Sequence, residues 1–554
     1  QGYVQLIKMG KYTEAVKLIM ERLPLPGVLG RVCPHPCETY CRRAEVDAPI
    51  AIRNLKRAAA DRVDLSALPL PEIVDRPEQV AIVGSGPAGL TSAYYLRLRG
   101  YRVTIFEALE RLGGMLRVGI PDYRLPPEVL DREIAYLLKH GIAVKTGRRL
   151  GRDFTIESLK AEGFAAVVLA VGAHLGLSAG IPGERDVAGV LNAVDWLREV
   201  NLGARAAPGR NVVVIGGGNV AVDAARVARR LGSDSVAIVY RRTRQEMPAY
   251  ADEIEEALAE GIDIRGGLAP VGIVRGPDGR ATALRLAECE AKMVGPRLEL
   301  KIKEGTEQDI PADLIVSAIG QAVDFTGLEE FDSGKGNVAA DKNYQIPGKP
   351  GTFAGGDVLR PHLLTTAIGH GAIAADGIDR FLRGEDQEKR PKVDVHAVDL
   401  KRKMVERGLA FSEATEPMHG TDQSTVGIHN FDNRSDRYVI PHEELFLGHF
   451  GFTPRLKRKI VTLTKESALG NFEERLAPLS EAEAVAEAKR CMSCGQCFEC
   501  DNCVVYCPQT AVARVPKKEA TTGRYVYTDY DKCIGCHICK DVCPTGYIQM
   551  GLGE

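Results

Sequence analysis

Several features of specialised protein classes are missing from this sequence of 554 residues. It has no run of about 18 uninterrupted apolar residues, so we expect no membrane-spanning helix. Its first residues show no basic-then-apolar secretory pattern, and we therefore expect a soluble, cytoplasmic protein. Neither sign of charge dominates, because the formal net charge is -2. A general nucleic-acid binder would carry a strong positive excess, so no nucleic-acid partner is expected.

Cysteine is absent from most of the chain and concentrated at its two ends. Three cysteines lie within residues 33–41, Cys289 stands alone, and ten fall within residues 491–543. Disulfide frameworks belong mainly to small secreted domains. A chain of this length is expected to form three or four compact units at roughly 150 residues per domain. The cysteine clusters therefore favour metal binding over disulfide bonds.

The C-terminal cysteines follow a repeated spacing. Residues 497–508 and 533–544 both have the form Cys-x2-Cys-x2-Cys-x3-Cys-Pro. This is the bacterial two-cluster ferredoxin pattern, in which the fourth cysteine of each run binds the other cluster. Paired zinc knuckles are the alternative, but they lack this crossed repeat. The predicted ligands are Cys497, Cys500, Cys503 and Cys543 for the first 4Fe-4S cluster, and Cys533, Cys536, Cys539 and Cys507 for the second.

Three cysteines belong neither to the N-terminal group at residues 33–41 nor to the eight predicted ferredoxin ligands. Cys491 and Cys494 are either inert thiols or ligands of a further cluster, because the sequence fixes only their number and spacing. Cys289 is expected to be a core thiol.

The stretch QVAIVGSGPAGLTSAYYL, residues 79–96, has the pattern of an apolar strand, a glycine turn and a helix. Its G-x-G-x-x-G spacing lets backbone amides at a helix N-terminus approach a pyrophosphate closely. The following strand, YRVTIFE, ends in Glu107, whose carboxylate can accept hydrogen bonds from a ribose diol. A tight structural turn is the alternative to a dinucleotide site. The predicted cofactor contacts are Gly84, Ser85, Gly86, Pro87, Ala88, Gly89 and Glu107.

A second copy of the motif begins at residue 211 with NVVVIGGGNVAVDAARVARRLG. One chain with two such units can bind two dinucleotides. The next strand, SVAIVYRR, ends in Arg241 and Arg242 rather than in an acid. Two guanidinium groups there suit the 2′-phosphate of NADP, although a solvated surface pair is the alternative. The predicted nicotinamide-nucleotide contacts are Gly216, Gly218, Asn219, Val220, Arg241 and Arg242.

A third motif, GTFAGGDVLRPHLLTTAIGHGAIAADGI, covers residues 351–378. Its strand ends at Asp357, whose carboxylate can bond a ribityl hydroxyl. A helix that starts near Thr365 can direct its positive end at a flavin. We expect this strand and helix to complete the first dinucleotide unit, with the second unit inserted into it.

This order of motifs resembles the two-dinucleotide flavoprotein fold of the disulfide reductases, with FAD in the first unit and NAD(P)H in the second. No cysteine lies between Cys41 and Cys289, so a redox dithiol beside the flavin is excluded. Electrons are expected to leave through clusters instead, because a flavin converts a hydride's two electrons into single-electron steps. Hydride transfer needs orientation more than a protein base, so no catalytic acid or base is predicted.

We therefore predict an α/β fold with two Rossmann-like dinucleotide-binding domains and an iron-sulfur domain at each end. The predicted divisions are an N-terminal helical iron-sulfur domain over 1–75, a discontinuous FAD-binding domain over 76–200 and 315–385, an NAD(P)-binding domain over 201–314, a connecting segment over 386–485, and a ferredoxin-type domain over 486–554. The helix ADEIEEALAEG, which contains Glu253, Glu255 and Glu256, is expected to be a solvated face.

Four motifs, GRVCPHPCETYC, AIVGSGPAGL, GGMLRVGIPDYRLP and YRRTRQEMPA, occur in this order within residues 1 to about 385. In these motifs the chain resembles the small subunit of glutamate synthase and its relatives. The tail from LGHFGFTPRLKR to CMSCGQCFECDNC is similar to relatives with an appended ferredoxin. Among these is the iron-sulfur flavoprotein that partners dissimilatory sulfite reductase in sulfur oxidizers.

The resemblance implies roles for particular residues. It places clusters in the N-terminal domain, with Cys33 and Cys37 in one and Cys41 in another, both completed by cysteines upstream of Gln1. Lys56 stands where relatives have a Glu or Gln ligand. An ammonium group cannot bind iron, so an N-terminal cluster is expected to differ in type or to be absent. The implied FAD contacts are Glu107, Gly114, Met115, Arg124, Gly356, Asp357, Thr366 and Ala367.

Three functional interpretations follow. The first is an NAD(P)H:acceptor oxidoreductase, running in either direction, with a protein redox partner such as dissimilatory sulfite reductase. The second is an electron-supplying subunit for a glutamate synthase large subunit, since the sequence contains no amidotransferase region of its own. The third is a non-enzymatic electron-relay scaffold, which the intact glycine motifs and the GGD motif argue against.

Overall fold

The structure is a computed structural model that describes residues 2–294, 297–385, 452–456, 464–491, 502–516 and 526–541, with Cys543, Ile548 and a few short strands. None of the helices in these ranges has the length and apolar character needed to span a bilayer. Cys494, Cys497 and Cys500 lie outside the described residues.

Short helices form the N-terminal part of the chain. They are α1 Gly2–Lys8, α2 Tyr12–Met20, α3 Pro26–Val32, α4 Pro36–Thr39 and α5 Ile52–Ala60, with single 3-10 turns at Arg42–Glu45 and Leu65–Ala67. One face of α5 buries Leu55, Ala58 and Ala59 in the same core as the first strands of the next unit. The N-terminal helices therefore share a hydrophobic core with the first sheet.

The first sheet has five parallel strands in the order β16-β4-β1-β2-β3. Its strands carry continuous apolar runs because helices cover both faces of a parallel sheet. The strands are β1 Gln79–Val83, β2 Arg102–Phe106, β3 Ala143–Lys145, β4 Phe164–Leu169 and β16 Thr352–Ala354. The helices of this unit are α6 Pro87–Leu98, α7 Met115–Val118, α8 Pro127–Leu138, α9 Ile156–Ala161 and α13 Leu364–Leu382.

The second sheet repeats this design, with five parallel strands in the order β6-β14-β7-β8-β9. Its strands are β6 Val190–Asn192, β7 Asn211–Ile215, β8 Ser235–Tyr240, β9 Asp263–Gly266 and β14 Leu314–Ser317, and its helices are α10 Ala193–Asn201, α11 Asn219–Arg230 and α12 Ala251–Ala259. β6 and most of β14 fall in the stretches that we assigned to the FAD-binding domain. The second sheet thus extends beyond residues 201–314, because β14 pairs with β7 and β6 pairs with β14.

Antiparallel strands cover one side of the second unit. They are β10 Leu268–Arg275, β11 Ala281–Val294, β12 Arg297–Ile302 and β13 Gln308–Pro311, with the small pair β5 Leu175–Gly176 and β15 Gln321–Ala322. A 3-10 turn at Arg244–Glu246 follows β8, and another lies at Glu329–Phe331.

The described C-terminal part consists of short elements. The helices are α14 Lys465–Ala468, α15 Glu481–Lys489, α16 Asn502–Val505 and α17 Ile538–Asp541; the strands are β17 Ser412–Glu413, β18 Val426–Gly427, β19 Tyr438–Val439, β20 Val512–Arg514, β21 Val526–Thr528 and β22 Met550–Gly551. α15 runs across the predicted boundary at residue 486 and packs on α1 and α5. This helix therefore associates with the N-terminal domain.

Candidate functional site

A large cavity lies where the carboxyl ends of the first-sheet strands meet the N-terminus of α11. Ligands in open α/β sheets bind in this crevice, because strand ends and helix N-termini present free backbone amides there. The predicted contacts that line the cavity are Gly84, Ser85, Gly86, Pro87, Ala88, Glu107, Gly114, Met115, Arg124, Asn219, Val220, Gly356, Asp357 and Ala367. The fold thus collects residues from both glycine motifs and from the third motif around one space.

The first glycine loop is shaped to leave room for a ligand. Gly84 has φ +103°, and a Cβ there would lie 2.3 Å from the Ala170 carbonyl oxygen. A Cβ at Gly89 would lie 1.9 Å from the Gly84 carbonyl oxygen, so Gly89 allows α6 to approach β1 closely. A Cβ at Gly86 would meet no protein atom within 4 Å. This open space at the N-terminus of α6 fits a pyrophosphate.

Glu107 is 6% exposed at the end of β2. Its Oε2 atom accepts hydrogen bonds from the Ser85 backbone N–H at 2.8 Å and the Ser85 hydroxyl at 2.5 Å, and its Oε1 atom accepts one from the Leu109 N–H at 2.9 Å. A carboxylate offers about four acceptor positions. Glu107 is therefore fixed beside the glycine loop and keeps the capacity to accept from a ribose hydroxyl.

The second glycine loop has the same construction. Gly216 has φ +146° and leaves no room for a Cβ beside the Ala318 carbonyl oxygen, whereas the equivalent space at Gly218 is open. Asn219 begins α11, and its Oδ1 atom accepts from the Tyr250 N–H at 3.0 Å. Gly216 and Gly218 do not line the cavity themselves, whereas the neighbouring Asn219 and Val220 do. The loop therefore fits a second dinucleotide.

Arg241 and Arg242 directly follow β8, which pairs with β7 next to the second glycine loop. The Gly216 N–H donates to the Val239 carbonyl oxygen at 3.0 Å, which ties the loop to the end of β8. Arg241 is exposed and Arg242 is half-buried. Neither lines the cavity. Their position matches that predicted for contact with a 2′-phosphate, and this role remains a prediction.

The third motif forms the opposite wall. Asp357 lines the cavity, and its Oδ1 atom accepts from the His362 N–H at 3.2 Å. Burial raises the pKa of Asp357 above its usual value. The Thr366 hydroxyl lies 2.7 Å from His362 Nδ1, and Thr366 does not line the cavity. Ala367, in the first turn of α13, does line it. The helix N-terminus therefore points toward the space where a flavin would lie.

His370 has a packing role rather than a chemical one. Its Nδ1 atom accepts from the Gly356 N–H at 3.3 Å, and its ring lies 4.7 Å from that of Tyr344. Burial lowers the pKa of His370, so that the neutral ring remains an acceptor.

Arg124 lines the cavity but is also engaged by acidic residues. Its guanidinium lies 2.5 Å from Asp223 and 2.9 Å from Glu253. Glu253 and Glu256 are only 3% and 5% exposed, so the expectation of a solvated acidic face was wrong for these two residues. Arg124, Arg226 and Arg475 lie against this face and compensate its buried charge. A flavin contact by Arg124 stays a prediction.

The N-terminal cysteines lie close to the cavity. Cys33 ends α3 and packs with Ile368 and Leu364 of α13. Its neighbours in the chain, Val32 and Pro34, line the cavity itself. No local pattern predicted this contact, because it joins residues more than 300 positions apart. A cluster bound by Cys33 would border the flavin site.

The C-terminal cysteines form a small core. The buried residues Cys503 and Cys539 pack with Val512, Val526 and Ile548, and Cys507 and Cys543 lie against them. Burial, and then the neighbouring thiols of Cys536, Cys533 and Cys507, raise the pKa of Cys539 to about 12. The four thiols predicted for the second cluster are therefore close to one another. Among the described side chains no group of three or more has the spacing that binds a single metal ion, and a four-iron cluster is larger than one ion.

These features define an iron-sulfur flavoprotein oxidoreductase with two dinucleotide-binding units. Residues 78–371 match the pyridine nucleotide-disulphide oxidoreductase family, and the chain belongs to it. Residues 1–67 match dihydropyrimidine dehydrogenase domain II with a 4Fe-4S cluster, and residues 490–547 match a 4Fe-4S dicluster domain. The chain thus combines an FAD- and NAD(P)H-binding oxidoreductase domain with 4Fe-4S domains at both ends.

Individual relatives support the same architecture. The chain is 40% identical over 412 residues to the NADP(+)-dependent formate dehydrogenase subunit beta of Moorella thermoacetica. The alignment covers 69% of this chain and 58% of that protein. It is 32% identical over 415 residues to the glutamate synthase [NADPH] small chain of Escherichia coli, covering 69% of this chain and 86% of that protein. The resemblance to the glutamate synthase small subunit is confirmed.

A solved structure shows the same fold. FprA from Mycobacterium tuberculosis (a His-to-Gln mutant) aligns with a TM-score of 0.50 and 21% identity, covering 56% of this chain and 85% of that one.

Proposed function

We propose that this chain passes electrons between NADPH and a separate redox protein, with the flavin cavity and the N-terminal clusters as consecutive sites. The observation that carries the proposal is the position of Cys33 between the cavity-lining residues Val32 and Pro34. Its side chain is 4% exposed and packs on α13, whose first turn borders the cavity. Cys33, the proposed cluster ligand, would therefore lie at the wall of the proposed flavin site.

The cofactor's chemistry and the protein's contribution are separate. FAD, when bound, exchanges a hydride's electron pair with a nicotinamide and passes the electrons on singly. The first glycine loop would hold its pyrophosphate and Glu107 its ribose, while Asp357 and the first turn of α13 border the flavin end. The second loop would hold the nicotinamide nucleotide, with Arg241 and Arg242 near the 2′-phosphate. Apolar cavity residues such as Leu116 and Leu364 exclude water.

The physiological partner is proposed from the sequence tail. Its motifs are similar to those of the flavoprotein that works with dissimilatory sulfite reductase, so we propose this enzyme as the partner. A glutamate synthase large subunit is the second candidate, because the glutamate synthase small chain is 32% identical to this chain over 415 residues. The described relatives that carry subunit names belong to different enzymes, so the same reductase design serves several acceptors.

An anaerobic titration with NADPH and, separately, with NADH tests the electron path. Flavin absorbance and the cluster EPR signals are followed together. We expect flavin bleaching and cluster reduction in the same titration, with half-reduction at a lower NADPH than NADH concentration. Flavin bleaching without reduction of any cluster would contradict the path. Electron transfer to purified sulfite reductase and to a glutamate synthase large subunit, measured side by side, then distinguishes the two partners.

A further inference from the structure

Helix α15 carries the chain from the C-terminal part back to the N-terminal domain. It packs against α1 and α5. Its Ala484 and Ala488 are fully buried in the core that also contains Val4 and Leu55. Cys491 follows this helix directly, and its N–H donates to the Ala488 carbonyl oxygen at 3.1 Å. The position of Cys491 is therefore set by the N-terminal domain.

A buried ion-pair network fixes the end of the helix. Arg490 lies 2.8 Å from Asp47 and 2.6 Å from Glu487, with all three side chains at most 2% exposed. Arg43 pairs with Asp47 at 2.5 Å and donates to the Arg490 carbonyl oxygen at 3.1 Å. Breaking such a network leaves charges buried and unpaired, which is costly. The backbone immediately before Cys491 is thus held against the 3-10 turn that follows Cys41.

Cys491 lies close to the chain around Cys41. Cys41 and Cys491 are both half-buried against the same core. Arg43, two residues after Cys41, donates to the carbonyl oxygen of Arg490, the residue before Cys491, at 3.1 Å. Cys41 and Cys491 therefore each lie within two residues of a direct contact between their two segments.

One buried polar group in this region cannot serve as a ligand. Lys56 on α5 is 4% exposed. An ammonium group has no lone pair for iron. The ligand that the family resemblance implies at this position therefore has to come from another residue.

We propose that Cys491 is an iron ligand of an N-terminal cluster that it shares with the cysteines of residues 33–41. Cysteine binds iron as the thiolate, so its proton is released when the cluster is inserted. The contacts beside Cys491 fit this role, because Arg43 donates to the Arg490 carbonyl oxygen at 3.1 Å and buried ion pairs hold Arg490 in place. This assignment does not depend on the identity of the electron acceptor.

The proposal also defines a connection between the two iron-sulfur domains. Cys497, the first predicted ferredoxin ligand, follows Cys491 by six residues. Six residues span at most roughly 20 Å when fully extended. A ligand of an N-terminal cluster and a ligand of the first ferredoxin cluster are thus covalently held within that distance, which would make the route from the flavin to the ferredoxin continuous.

Substitution tests the assignment. In the full-length protein, Cys491→Ala is compared with Cys289→Ala, a cysteine on β11 far from the N-terminal core. Cys536→Ala identifies which EPR signals belong to the ferredoxin part. We expect Cys491→Ala to contain less iron and acid-labile sulfide than Cys289→Ala, but the same amount of flavin. We also expect it to lose an EPR signal that Cys536→Ala retains. An iron content and signal set identical to those of Cys289→Ala would overturn the proposal.

A labelling experiment decides the question without a variant, and does so even if Cys491→Ala also loses its flavin. Cys491 is partly exposed, so a free thiol at this position should react with iodoacetamide. We expect protection in the iron-loaded protein and at least tenfold faster alkylation after anaerobic iron removal with a chelator, quantified by peptide mass spectrometry. Equal alkylation rates before and after iron removal would overturn the assignment.

Discussion

Arg124 Nη1 lies 2.5 Å from Asp223 Oδ2 and thereby joins the loop after α7, in the flavin unit, to α11 of the nucleotide unit. The same guanidinium lies 2.9 Å from Glu253 on α12. Tyr123 precedes Arg124 in the chain, and the centre of its ring lies 4.0 Å from the guanidinium carbon of Arg230. Two adjacent residues of one loop therefore hold the two dinucleotide units together at the edge of the cavity.

Replacing Arg124 should destabilise the protein strongly. Arg124→Gln leaves the buried Asp223 without its ion-pair partner and removes one of the two arginines that pair with Glu253. Losing one member of a buried pair costs about 3–5 kcal/mol. Urea unfolding measures the change in the free energy of unfolding. Arg210→Gln is the control, because Arg210 pairs with Asp234 on the surface at 85% exposure, and no measurable change is expected there. Equal effects of the two substitutions would contradict the role assigned to Arg124.

The glycines of the first loop should respond differently to alanine. A Cβ at Gly86 meets only the space reserved for the ligand, and Gly86 has φ -68°, which alanine accepts. Gly86→Ala should therefore lower FAD affinity at least tenfold while leaving the stability of the flavin-free protein unchanged. Gly89→Ala should instead destabilise the protein itself, since its Cβ would overlap the Gly84 carbonyl oxygen.

Flavin retention on gel filtration and thermal unfolding of the flavin-free protein measure these two effects separately. Normal FAD binding by Gly86→Ala would show that the pyrophosphate lies elsewhere.

Removing the two arginines after β8 should change nucleotide preference. A hydrogen bond to a charged group contributes about 1.5–3 kcal/mol. The double substitution Arg241→Ser with Arg242→Ser should raise the KM for NADPH by tenfold or more and leave the KM for NADH almost unchanged. Arg265→Ser removes a nearby exposed cation that pairs with Asp263 and serves as the control. A parallel loss for both nucleotides would indicate a structural effect instead.

The contact between the N-terminal helices and the flavin unit should depend on pH. Glu133 on α8 is 1% exposed and accepts from the backbone N–H groups of Gly27 and Val28 at the start of α3. Burial raises the pKa of Glu133 from 4.5 to about 7 against the opposing effect of these hydrogen bonds. The folded state therefore binds this proton more tightly than the unfolded state does.

The resulting stabilisation is fully present below pH 4.5 and is lost as the pH rises through about 7. The loss is on the order of 3 kcal/mol. Urea unfolding across this pH range gives the free energy of unfolding of the wild type and of Glu133→Gln. The difference between the two proteins reports Glu133 alone, because the contributions of the other titrating groups cancel. Stability curves that stay parallel for the two proteins would show that Glu133 does not titrate in this window.

Local sequence spacing predicted the parts of the site that lie within one strand, turn and helix. Gly84, Gly86 and Glu107 are near the cavity because β1, α6 and β2 follow one another and pair in order. The third motif was placed correctly, with α13 starting one residue before Thr365. Domain boundaries were harder to predict, because β14 pairs with the distant β7 and β6 pairs with β14, which moves the edge of the second sheet.

Contacts between distant segments could not be read from the pattern of residues. Glu253 looks like an exposed helix acid because its interaction with Arg475 depends on a segment more than 200 residues away. Cys491 falls within the predicted ferredoxin-type domain, residues 486–554. In the structure it lies on the N-terminal domain, because α15 packs against α1.

The sequence by itself determined the cofactor classes, since glycine loops and cysteine repeats encode their ligands through spacing along the chain. The tertiary structure alone decided which of these sites are neighbours. Burial and ion pairing act through space, so the position of Cys33 at the cavity wall and that of Cys491 against the N-terminal core are properties of the folded chain.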